Sequence, residues 1–189
     1  TGVSSRPVRE AADRFLATLN TAELSRSHFA INDPEWRDWS NVDVGIFSRR
    51  GISLEEMSGD QKAAAWALLE EALSAEGVKQ ARSIMRTEQR LLELNSAPIR
   101  YGEEKYYLTF MGIPSEVDPW GFQLDGHHLI INYFVLGDQV VMTPAFWGGE
   151  PVVTEYGRYA GNAILQEEQN LGLELMQSMS SSQLSEVTL

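Results

Sequence analysis

Apolar positions recur at helical spacing over residues 7–19, where Val8, Ala11, Ala12, Phe15, Leu16 and Leu19 fall on one face. Asn20 stops that pattern and caps a following turn. Between Ile31 and Gly51 the periodicity disappears, and Asn32-Asp33-Pro34 marks a turn. This stretch reads as a loop that Trp36, Trp39 and Phe47 pin to the core. Ser58, with Gln61 three positions on, forms a capping box and opens a second helix. That helix is rich in alanine and leucine as far as Leu73. Ser74 caps a third, running through Ile84, Met85, Leu91 and Leu92 to about Asn95, and Pro98 prevents its continuation.

The pattern then changes character. Tyr106–Met111 is aromatic and β-favouring. Trp120–Asn132 reads as a second strand, or as two strands broken at Gly126. Gly137-Asp138 marks a hairpin turn, with Gln139–Pro144 as the return strand. Trp147-Gly148-Gly149-Glu150-Pro151 is a turn-rich exit. Tyr159–Met179 is again helical, with Ile164, Leu165, Leu171, Leu175, Met176 and Met179 apolar. Ser180 would start one more helix shortly before Leu189, so a cut at that end, not a natural terminus, is expected. The fold class is therefore α+β: N- and C-terminal helices packed on a small, mainly antiparallel sheet, in one domain over residues 1–189.

Composition narrows the function classes. The 189 residues carry 15 basic and 27 acidic side chains, a formal net charge of −12. Such a surface repels phosphate backbones, so nucleic acid is a poor partner, as is an anionic membrane surface. Because the sequence contains no cysteine, disulfides, thiolate catalysis, Cys-zinc sites and iron–sulfur clusters are excluded. The longest apolar run, Leu129–Leu136, is interrupted by Asn132 and is too short for a membrane span.

The candidate chemistry lies at His127-His128, two of only three histidines, which directly follow Gly126. Imidazole is the commonest metal ligand and titrates near neutrality. On a strand the two rings point to opposite faces. Binding one ion then requires the backbone to bend, and Gly126 permits a bulge. A third ligand is also needed. Candidates are Asp125 by proximity, Glu88 from the preceding helix, Glu150 and His28. A His-plus-carboxylate set suits a divalent transition metal such as Zn, Mn or Fe. General acid–base work by either histidine with Asp125 or Glu88 needs no metal. No Gly-x-Ser-x-Gly elbow is present. Arg86, Arg100 and Arg158 are candidate anion clamps, although such arginines are more often surface ion pairs.

In this order the segments resemble the DUF3500 family, a bacterial domain of unknown function. The resemblance rests on Trp120–Asn132 with its Gly-His-His-Leu core, on Phe110-Met111-Gly112-Ile113-Pro114, and on Pro144-Ala145-Phe146-Trp147-Gly148-Gly149-Glu150-Pro151. Glu35-Trp36-Arg37-Asp38-Trp39 and Ile84-Met85-Arg86-Thr87-Glu88 also fit. It implies an exported protein, secreted or periplasmic, whose family domain extends further on the C-terminal side. It implies no activity. Two expectations follow. The first is a metal-dependent or acid/base enzyme with catalytic His127, His128 and Glu88 and metal ligands His127, His128 and Asp125. It would act on a small-molecule or polymer ligand. The other is a non-catalytic binding or assembly module in which the histidine pair is structural.

Overall fold

The computed structural model describes residues 4–188. Thr1 and Leu189, the chain ends, lie outside the described residues. Helix α1 (Arg6–Leu16) buries Val8, Ala11, Ala12 and Phe15, the face read from the sequence. Asn20 does more than close a turn. Its side chain accepts from Ala22 and Glu23 N–H groups, and Glu23 reciprocates, so a full capping box starts α2 (Thr21–Ser27). The Ser58/Gln61 box opens α3 (Gly59–Ala72), and Ser74 caps α4 (Ala75–Asn95).

The described residues form seven strands, β1 (His28–Phe29), β2 (Ile52–Ser53), β3 (Tyr106–Met111), β4 (Trp120–Gly126), β5 (Leu129–Leu136), β6 (Gln139–Val141) and β7 (Ala145–Trp147). They form one mixed sheet in the order β1-β3-β4-β5-β6, with β2 also on β3 and β7 also on β5. Among the described residues only the β1–β3 pairing is parallel. With 42% helix and 18% strand the protein is α+β. Alternation sorts the sheet into two faces. Tyr106, Leu108, Phe110, Phe122, Leu124, Leu129, Ile131 and Val135 join the core with residues of α1, α3 and α4.

The opposite face is buried as well, but between the apolar Met111 and Ile130 it carries a polar row. Thr109, Gln123 and Asn132 stand side by side across three strands, and each is at most 3% exposed. The irregular segment 31–51 lies over them as a strap. Trp36 meets Phe134 edge-on, as expected of a pin. The deepest anchors were not foreseen: Glu35, whose carbonyl accepts from Gln123, and Arg49, whose side chain is 1% exposed.

One expectation shifts towards the C-terminus. The helix expected from Tyr159 begins only at α5 (Gln166–Ser178). Before it, Gly157 and Gly161 take positive φ, Val153 bridges Ala163, and Asn162 donates to Ser83 and Thr87 on α4. Ile164 enters the core, whereas α5 and α6 (Ser181–Val187) bury no residue. No described helix is long and apolar enough to cross a membrane.

Candidate metal centre

Glu88 reaches the site through its place on α4. The helix buries Ala81, Ile84, Met85, Glu88 and Leu91, three and four residues apart on one face. Glu88 thus stands in an apolar stripe with its side chain only 3% exposed. A carboxylate taken out of water requires a counter-charge or full hydrogen bonding. Among the described residues no lysine or arginine pairs with it. Its ion-pair partners are His127 and His128.

The histidines reach Glu88 because they are not on a strand. Gly126 pairs with Leu129, so His127 and His128 are the two-residue turn of the β4–β5 hairpin. The left-handed residue is His128, with φ of 63°, a conformation costing a non-glycine residue roughly 1–2 kcal/mol. The bend expected at Gly126 therefore falls on the histidine pair itself. Gly126 serves close approach instead: a Cβ there would lie 2.2 Å from the Tyr106 ring. That contact lets the Tyr106 hydroxyl donate to the His127 carbonyl at 3.0 Å. Burial first, and Glu88 second, push this phenol well above its usual range, so it remains a donor. The Gly148 N–H donates to the His128 carbonyl at 2.8 Å. Both turn carbonyls are thereby tied down, which holds the strained residue in place.

The result is a convergent group. The two imidazoles stack with centroids 3.6 Å apart and planes inclined by 25°. Glu88 Oε1 lies 2.8 Å from His127 Nδ1 and 3.3 Å from His128 Nδ1. The His128 contact is a hydrogen bond. By contrast, His127 Nδ1 is buried and close to the carboxylate but has no aligned hydrogen-bond partner among the described residues. Glu88, His127 and His128 each offer a ligand atom, all within 4.8 Å of one another. The His127 and His128 side chains are 15% and 11% exposed. The His127 ring lies 6.0 Å from that of Tyr101.

The other expected ligands lie elsewhere. Asp125 faces the strap, where Arg49 Nε approaches it at 3.1 Å and both side chains are at most 5% exposed. Burial outweighs the arginine and pushes its carboxyl up to about 7. His28 donates Nε2–H to the Gly112 carbonyl at 2.6 Å on β1, and Glu150 is exposed. Sequence reasoning missed Asp43. Two bonds from Arg100, at 2.9 and 2.7 Å, hold its carboxyl below the usual carboxylate range, with a smaller contribution from the charge of His127. Its only local signal is the Asx turn with the Gly45 N–H, which says nothing of a histidine 84 positions away.

No curated protein and no solved structure matches the chain. The family model described as "Protein of unknown function (DUF3500)" matches residues 1–189, the whole length, and the chain belongs to that family.

Proposed function

We propose that Glu88, His127 and His128 bind one divalent transition metal ion, of the class Zn, Mn or Fe, and that the protein is a metal-dependent enzyme. The orphaned His127 Nδ1 carries this reading. It is buried beside a carboxylate and a second imidazole nitrogen without a hydrogen bond of its own among the described residues. Ligand atoms on one ion at bond lengths of about 2.0–2.1 Å stand about 3 Å apart, close to the two Glu88–histidine separations of 2.8 and 3.3 Å. Two histidines and a carboxylate favour Zn, Mn or Fe. Three protein ligands leave a coordination position for water or substrate. A metal there polarises a substrate oxygen or lowers the pKa of bound water. The chain's own contribution is positional: Tyr106 and Gly148 fix the turn, and Glu88 supplies the buried negative charge.

Export, implied by the family resemblance, belongs to the same proposal, and fractionation of host cells checks it. A second reading has an observation of its own, the direct His128–Glu88 hydrogen bond at 3.3 Å. In it the pair only fastens the hairpin to α4 and the protein is a binding module. Calorimetric titration of chelator-stripped protein with Zn²⁺, Mn²⁺ and Fe²⁺ separates the two. The enzyme reading predicts one site per chain, lost in Glu88→Gln and in His127→Ala. It also predicts that azide changes the visible spectrum of the Co²⁺-loaded protein, since a coordination position is open. Absence of any site supports the module.

A further inference from the structure

A second concavity lies on α4, away from the metal ligands. It has a volume of about 230 Å³ and is bounded by α3, by α4, by Leu54 and by Glu103, Glu104 and Tyr159. Its apolar lining is Leu54 and Met85, each at most 3% exposed, together with Trp66, half-buried against the core. Three cationic side chains line it, Lys62, Arg82 and Arg86, against two anionic ones, Glu103 and Glu104. In a chain of net charge −12, this is a locally positive hollow.

Most of those charges are already matched. Lys62 binds Glu104 at 2.6 Å, Arg158 binds Glu103 at 2.6 Å, and Arg82 binds Glu70 at 3.2 Å. Tyr159 also donates its hydroxyl to Glu103. Arg86 differs. Among the described residues it has neither an ion-pair partner nor a hydrogen-bond acceptor; its guanidinium stands over the Tyr159 ring, 5.3 Å from the centroid. A ring face holds a cation by its quadrupole and occupies none of the guanidinium N–H groups. Arg86 is therefore positioned while all its donors stay available, and a guanidinium presents them as a fork that fits a carboxylate. Of the three arginines singled out as anion clamps, Arg100 is committed to Asp43 and Arg158 to Glu103. Arg86 alone keeps that capacity.

We propose that this hollow is a binding site for a small monocarboxylate with an apolar body, the carboxylate on Arg86 and the body on Leu54, Met85 and Trp66. A cavity of about 150 Å³ already accepts a benzene ring, so the space suits a ligand of about ten heavy atoms. Bare inorganic anions would leave the apolar lining unused. The assignment is independent of the metal reading, because it uses neither Glu88 nor the histidines.

Benzoate is the probe, added to chelator-stripped, desalted protein that carries ¹³C-methyl methionine. The Met85 resonance is assigned with Met85→Leu. The site predicts that benzoate moves the Met85 methyl with a millimolar dissociation constant, the range open to so small a ligand. Arg86→Gln, an exposed substitution, weakens binding by about tenfold or more, while Arg86→Lys retains part of it. Benzamide, acetate and inorganic phosphate bind at least about tenfold more weakly than benzoate. The proposal is overturned if benzoate leaves Met85 unmoved up to about 10 mM. It is equally overturned if Arg86→Gln binds like wild type, or if benzamide or phosphate matches benzoate.

Discussion

At the scale of single residues, the site depends on backbone demands that side-chain chemistry alone does not reveal. His128 is both a ligand candidate and a left-handed residue, and substitution separates the two roles. His128→Ala removes the imidazole and keeps the strain, whereas His128→Gly removes both. The glycine variant is expected to be more stable than the alanine variant by about 1 kcal/mol, with metal binding lost in each; urea unfolding and calorimetry read the two effects. Equal stabilities would show that the turn is not strained. Gly126→Ala drives a Cβ into the Tyr106 ring, an overpacking cost of about 1–3 kcal/mol. It should also displace the Tyr106 hydroxyl from the His127 carbonyl, visible as a lowered midpoint for metal-free protein. An unchanged midpoint would mean that the ring moves aside freely.

At the scale of elements, the polar row of the sheet and its strap make the sharpest prediction. Arg49 and Asp125 form a buried ion pair, and Arg49 also donates to the Ser40 and Val42 carbonyls at 2.5 and 2.7 Å. Asp125→Asn mimics the protonated acid, so its difference from wild type reports the stability change that goes with ionisation of Asp125. The pH dependence carries a definite sign. Burial raises this carboxyl in the folded protein to about 7 from 3.8. Between those values the native state holds a proton that the unfolded chain has released. Its contribution to stability therefore falls as pH rises through that window and is flat beyond it. Unfolding free energies of wild type minus Asp125→Asn, measured from pH 4 to 8, should decline with pH. A rising difference would show that Arg49 wins over burial. The core-facing elements were legible in the sequence because helical and alternating apolar spacing report burial directly: α1, α3, α4 and β3 lie close to where the pattern puts them. The strap was legible only as a loop. Glu35, Asp43 and Arg49 are buried by contacts across the sheet, and a polar residue buried that way has no periodic signature. The late start of α5 has a similar cause, since Asn162 and Ile164 are drawn onto α4 and into the core.

At the scale of the whole molecule, stability and chemistry are unevenly distributed. The core gathers α1, α3, α4 and one face of the sheet, while α5 and α6 bury no residue. A variant ending at Gln166 should keep its thermal midpoint within about 4 °C of wild type and retain metal binding; a larger loss would show that these helices pack on the rest in solution. The candidate centre, by contrast, ties one hairpin turn to the middle of α4 and so joins the sheet to its helical layer. Much of it could be read in advance. Glu88 is an acid in an apolar stripe and the histidines are a doublet beside a glycine, but whether their rings meet depends on a two-residue turn that an uninterrupted strand reading places elsewhere. The most direct test is the elemental content of protein purified without a metal-affinity tag. One equivalent of a divalent transition metal per chain is expected, falling below about a tenth in His127→Ala and in Glu88→Gln, with each variant still folded by circular dichroism. Metal-free wild type that takes up none of these ions on reconstitution would contradict the account.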